Sequence, residues 1–256
     1  MINIVKNDER SVPPLNELIL LIFGSPGSGK TQLCDSIPKA LFIATEPGHN
    51  FAKSPVYECR DWAGFRDLIT HIKTQRASGN AEYETFVIDI VDNFIGFCRD
   101  FICRRKNLSY PPTNDFGKTW SEIGTEWREG LGELFRLGNI MFISHATTKE
   151  HETEDDSGLK TQLDQYVPTF SGTKASQFLD GIVNAQGFLT TDKKGRHWIT
   201  FKKSATVGAK DRTGILSAMP GISIEWRDGK NSWQILEETY INLCEKLNYK
   251  IITRRR

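Results

Sequence analysis

The sequence has almost no net charge, no Cys-x-x-Cys pair and no long apolar run, and each absence closes off a class of function. Lysine and arginine total 33 against 32 aspartates and glutamates, a formal net charge of +1. Bulk charge therefore makes no case for a nucleic-acid or membrane surface, and any such contact must rest on a local patch. The five cysteines, Cys34, Cys59, Cys98, Cys103 and Cys244, are scattered and odd in number. They form no disulfide framework, which suits a reducing compartment. His145 and His151 do not have a common zinc-ligand spacing. No stretch approaches the ~20 apolar residues of a membrane span, and the N-terminal segment is too polar for a signal peptide. The expectation is a cytoplasmic protein with no membrane partner.

What is present is material for a large core: 256 residues, 38% of them hydrophobic. That suits one domain over 1–256, with a core at about 15–230 and a C-terminal strand, helix and basic tail over 231–256. Leu18 to Phe23, Ala40 to Ala44, Thr85 to Ile90 and Ile140 to Ser144 are short continuous apolar runs, the pattern of strands buried on both faces. Helices are expected from Lys30 to before Pro38, over Trp62 to Gln75 and over Val91 to Lys106. Another is expected along the stripe Phe116, Trp120, Ile123, Trp127, Leu131 and Leu134. Asn107 to Asp115 and residues 146–172 read as loops. Beyond Gly172, Ile182 to Thr190 and Arg196 to Phe201 read as a hairpin turning at Asp192-Lys193-Lys194-Gly195. Further strands are expected at Ile222 to Trp226 and Trp233 to Leu236, then a helix over Glu237 to Leu247 and the basic tail Arg254-Arg255-Arg256. The fold class is α/β: a mostly parallel central sheet flanked by helices, with antiparallel strands added at one edge.

Gly24-Ser25-Pro26-Gly27-Ser28-Gly29-Lys30-Thr31 matches the phosphate-binding pattern G-x-x-x-x-G-K-S/T, with a strand before it and a helix after. Glycines let the backbone curl so that successive N–H groups point at phosphate oxygens. Lys30 is placed for the β- and γ-phosphates, the Thr31 hydroxyl for magnesium, and Gln32 extends the nucleotide-binding stretch. The implied cofactors are ATP and Mg2+. Asp89, ending the run Phe86-Val87-Ile88, is placed to hold a magnesium-bound water, although aspartate at a strand end also caps helices. Glu46, just past the strand Ala40 to Ala44, is positioned to take a proton from the attacking water or orient it, or is an exposed loop residue. Ser144-His145 ends another strand. His145 is a γ-phosphate sensor or a buried structural histidine.

A P-loop, Glu46 after the next strand, Asp89 at a strand end and His145 after a further strand together resemble the RecA-like P-loop ATPase core. Pro38 to Glu46, Ser144-His145 and Ala209-Lys210-Asp211-Arg212 resemble, more closely, the phage single-strand annealing and recombination ATPases that consist of that core alone, AAA-type nucleotide-binding proteins. The resemblance spans about residues 15–230. It implies ATP hydrolysis, slow or DNA-stimulated, and binding of single-stranded DNA. A homo-oligomer is implied too, with a single-strand-binding protein as a further partner, in the cytoplasm of a host cell. The DNA-binding loops it implies, 107–118 and 146–172, are not strongly basic. Tyr110, Phe116, Tyr166 and Phe170 within them are candidates for base stacking. Lys210 and Arg212 share one side of an extended segment. Lys210-Asp211-Arg212-Thr213-Gly214 resembles the stretch from which RadA-type and DnaB-type ATPases reach a neighbour's nucleotide, so both cations are candidates for a site completed in trans. A solvated basic turn is the plainer alternative. For the chain as a whole the alternative is a P-loop ATPase without DNA binding: a switch, a packaging factor or an enzyme of nucleotide metabolism.

Overall fold

The computed structural model describes residues 10–48, 52–154, 160–170 and 174–253. Residues 155–159 of the expected loop, Gly172 and the basic tail Arg254-Arg255-Arg256 lie outside them.

Strand β1 (Ser11–Val12) leads to β2 (Leu20–Gly24), the phosphate loop and helix α1 (Lys30–Asp35). Then come β3 (Ala40–Ala44), β4 (Val56–Glu58), α2 (Trp62–Ala77), β5 (Thr85–Asp89), α3 (Val91–Arg105) and α4 (Lys118–Leu137). The second half holds β6 (Asn139–Glu154), β7 (Lys160–Pro168), α5 (Lys174–Ile182), β8 (Ala185–Thr191), β9 (His197–Thr200) and β10 (Lys210–Asp211). It closes with β11 (Ile222–Ser223), α6 (Ser232–Lys246) and β12 (Lys250–Ile251). The main sheet runs β11-β9-β8-β2-β6-β5-β3-β4. Its stretch from β8 to β4 is parallel, and β9, β10 and β11 join antiparallel beyond β8. This is the expected mixed α/β architecture.

Alternation along the strands feeds two cores, one on each face of the sheet. Leu20 and Ile22 of β2 point to the side covered by α1 and α6, with Leu33, Trp233 and Tyr240. Leu21 and Phe23 point to the side of α2, α3 and α4, with Phe65, Phe94, Trp127 and Leu131. Burial on both sides is why these strands read as unbroken apolar runs. All five cysteines are free and buried. Burial pushes the Cys59 thiol to about 12, so it is an inert core residue.

The structure corrects four expectations. Residues 146–168 are no loop: β6 runs far beyond Ser144 and pairs with β7, from Ala146 opposite Pro168 to Glu154 opposite Lys160. Most of β7 faces solvent, so the hairpin lacks the apolar alternation that announces a half-buried strand. Trp233 to Leu236 is not a strand but the first turn of α6, because Asn231 caps that helix reciprocally with Gln234. Phe116 is not on α4. The Asp115 carboxylate accepts the amides of Gly117 and Thr119, each at 2.9 Å, and starts the helix after Phe116. That leaves the Phe116 ring 97% exposed. The strand expected from Ile182 begins at Ala185, because α5 occupies Lys174–Ile182.

Candidate nucleotide and magnesium site

The loop between β2 and α1 is shaped by its glycines at two points. Gly29 has φ +93°, and a Cβ there would meet the His197 ring at 2.8 Å. At Gly24 a Cβ would come within 2.3 Å of the Leu189 carbonyl, so only glycine lets β2 turn beside β8. Inside the loop the Lys30 ammonium donates to the carbonyls of Gly24 at 2.9 Å and Ser25 at 3.0 Å. Burial pushes this ammonium below its ordinary value, while Asp89, Cys34, Glu46 and Asp92 pull it back up. The Ser28 hydroxyl is buried with no hydrogen-bond partner. A cation held only by its own loop's carbonyls, beside an unpartnered hydroxyl, suits an anionic ligand such as a polyphosphate.

The Thr31 hydroxyl donates to Asp89 Oδ2 at 3.0 Å. Asp89 is 6% exposed, and the cap position of α3 falls to Ile90, which makes no side-chain cap. Asp89 thus faces Thr31, while the N-cap position of α3 is Ile90. A hydroxyl and a carboxylate in contact beside a phosphate loop are hard oxygen donors of the kind magnesium takes, so the donor set fits that ion. Among the described residues there is no cluster of three or more His, Cys, Asp or Glu side chains fit for a metal.

A cleft of about 540 Å³ opens over the loop, and its lining includes Lys30, Thr31, Gln32, Glu46, Asp89 and His145. Parallel register explains the convergence: β2, β3 and β5 end at this edge and β6 passes it at His145, with Gly24 opposite His145 and Ala44 opposite Asp89. Glu46 Oε2 lies 3.5 Å from His145 Nε2, and Glu46 Oε1 accepts from Asn93 Nδ2 at 3.2 Å. His145 is a third exposed, not a buried structural residue. Lys210 and Arg212 lie elsewhere. β10 pairs with Ala185 and Gln186, which align with Leu20 and Leu21 at the far end of β2 from Gly24. There Lys210 Nζ donates to the Asp180 carbonyl at 2.7 Å, and Arg212 donates to the carbonyls of Asp180 and Gly181. These are last-turn carbonyls of α5, which cations at a helix C-terminus satisfy.

Sequence reasoning missed three residues near the site. Asn93 lies one helical turn past Asp89, a spacing that returns a side chain to the strand end. Asp92, its neighbour, has both carboxylate oxygens buried without a hydrogen-bond partner. His197, tied through Nδ1 to Glu225 at 2.8 Å, presses on Gly29 from an antiparallel strand, and only the strand order reveals that.

The AAA-domain family model matches residues 16–213. No curated protein matches the chain. The matched span contains the phosphate loop, the Thr31–Asp89 contact, Glu46 and His145, and with more than half of the sequence covered, the chain belongs to the AAA-domain family of P-loop ATPases.

Proposed function

We propose that the chain binds ATP with magnesium, hydrolyses it, and uses it to act on single-stranded DNA in annealing or recombination. One observation carries the ATPase part: the Thr31–Asp89 contact at 3.0 Å shares a cleft with Lys30, Glu46 and His145. Thr31 and Asp89 would hold magnesium, whose chemistry would be to neutralise charge on the phosphates. Lys30 leaves its loop carbonyls for the phosphates, and the loop amides cradle them. Glu46 orients water and accepts its proton. His145, which lines the same cleft, would sense the γ-phosphate.

The DNA part rests on the resemblance and on aromatic exposure. Phe116 is 97% and Tyr110 56% exposed, and Arg99 lies 5.2 Å from the Tyr110 ring centroid. Exposed rings beside a guanidinium suit unstacked bases. Tyr166 is stacked on Phe188 at 5.0 Å and is 40% exposed, whereas Phe170 is buried and drops out as a stacking residue. The hairpin β6–β7 carries Glu150, Glu152 and Asp164 beside Lys149 and Lys160, so it brings no net positive charge. Since β6 runs straight from His145 into this hairpin, occupancy of the cleft and the pose of the hairpin share one strand. A homo-oligomer with Lys210 and Arg212 acting in trans belongs to the same proposal.

The test is ATP turnover with and without single-stranded DNA at low salt, for wild type, Lys30→Ala and Phe116→Ala. The proposal expects DNA-stimulated turnover, abolished by Lys30→Ala and losing its stimulation in Phe116→Ala. Turnover indifferent to DNA selects the ATPase without DNA binding. Normal turnover by Lys30→Ala removes the site assignment.

A further inference from the structure

We infer that Asn93 is the positioning residue that holds Glu46 ready to orient water, an inference that rests on the ATPase reading above. Glu46 lies past the end of β3, and its side chain is 39% exposed. A half-exposed glutamate samples several rotamers, and fixing one costs side-chain entropy that some contact must offset. Two contacts meet it. Asn93 Nδ2 donates to Oε1 at 3.2 Å, and His145 Nε2 stands 3.5 Å from Oε2. The carboxylate thus has one oxygen assigned to α3 and the other turned toward the cleft end of β6.

Asn93 and Glu46 are both fastened to the junction of β5 and α3. Asn93 sits in the first turn of α3, four residues after the Asp89 that meets Thr31. The chain before Glu46 is fastened to the same junction. The Thr45 amide donates to the Asp89 carbonyl at 2.7 Å. The Thr45 hydroxyl accepts the Ile90 amide at 2.9 Å and donates to the Ile90 carbonyl at 3.0 Å. Movement of Asp89 therefore carries Asn93 and Glu46 with it, and the water-orienting group keeps its place relative to the metal-facing carboxylate.

The choice of an amide follows from the task. A lysine or arginine at this distance would favour the charged carboxylate and weaken it as a proton acceptor. An aspartate would repel it. A neutral N–H orients one oxygen at small cost in basicity and leaves the other free to accept from water. His145 Nδ1 is buried without a partner.

The experiment compares wild type, Asn93→Ala, Asn93→Asp, Glu46→Gln and the double variant Asn93→Ala with Glu46→Gln. It measures single-turnover ATP hydrolysis, nucleotide affinity and thermal unfolding. The expected result is a fall in the chemical step on the order of 10-fold for Asn93→Ala and more for Asn93→Asp, with ATP affinity and unfolding midpoint unchanged, since small misplacements of a reacting group are costly in rate. In the Glu46→Gln background, Asn93→Ala adds nothing, because two residues acting as one unit are not additive. The inference is overturned alone if Glu46→Gln is impaired but Asn93→Ala hydrolyses at the wild-type rate. The same holds if Asn93→Ala slows both backgrounds equally, or if its loss is accounted for by affinity or stability. If Glu46→Gln hydrolyses ATP like wild type, the role of Glu46 falls first and this inference falls with it.

Discussion

Thr45 and Ile90 are tied by two hydrogen bonds through one hydroxyl, which accepts the Ile90 amide at 2.9 Å and donates to the Ile90 carbonyl at 3.0 Å. The pair clamps the end of β3 to the end of β5, and Glu46 and Asp89 are each next to one half of the clamp. Thr45→Val keeps the shape and removes both bonds. Leaving a part-buried amide unsatisfied costs about 1–3 kcal/mol. Denaturant unfolding should show a loss of that size. Turnover should fall further than nucleotide affinity, since Lys30 and Thr31 are untouched. Unchanged stability and turnover would remove the clamp from the account of the site.

Gly29→Ala tests the loop's backbone. At φ +93° a side chain is strained by about 1–3 kcal/mol, and the new methyl meets the His197 ring. Nucleotide affinity, read by titration with a fluorescent analogue, should drop at least ~10-fold, equivalent to ~1.4 kcal/mol. Adding His197→Ala removes the steric overlap but not the strain, so recovery should be partial. Full recovery would assign the whole effect to the ring.

Arg212→Ala separates a helix cap from a trans-acting cation. Removing its bonds to the carbonyls of Asp180 and Gly181 should lower stability by about 0.5–1.5 kcal/mol, the usual net worth of such a bond. If the side chain also serves a neighbour's nucleotide, turnover is lost as well. Mixing Arg212→Ala with Lys30→Ala should then restore part of it, because some interfaces pair an intact loop with an intact cation. Turnover by Arg212→Ala at the wild-type rate leaves the cap as its whole role.

Glu133 gives a pH dependence with a defined sign. It accepts from Lys73, and from Arg66 at 2.8 Å. These bonds, the one from Lys73 foremost, hold its carboxyl below its ordinary value of 4.5. The folded state therefore binds this proton less readily than the unfolded chain. The stabilisation is present above about pH 4.5 and is lost as pH falls through the lowered folded value. Lys73 is 47% and Arg66 32% exposed, so the contribution is at most about 1 kcal/mol. Unfolding midpoints of wild type and Glu133→Gln should differ near neutrality and converge in acid. A constant difference across pH would place the effect in packing.

Much of this site is legible in the sequence. Gly24 to Thr31 carries its chemistry in consecutive residues, and Asp89, Glu46 and His145 each follow an apolar run that can only be a buried strand. Asn93 was hidden because an asparagine in a first helical turn looks like any other, and its value comes from Glu46, far away in sequence. The hairpin β6–β7 was hidden because most of β7 faces solvent, so no apolar period marks it. Lys210 and Arg212 read as a basic turn or a cation aimed at a neighbour, and no local pattern shows that the α5 carbonyls lie beneath them.

The parallel α/β core and the phosphate loop are written locally, because apolar runs, glycines and the Lys30-Thr31 pair act over a few neighbouring residues. Which polar groups meet is settled by the packing of the whole chain. The order β2-β6-β5-β3 and its register bring Gly24, His145, Asp89 and the end of β3 to one edge. Strand order is set by how the two faces of the sheet bury their side chains against helices, a property of the whole chain that no single segment encodes.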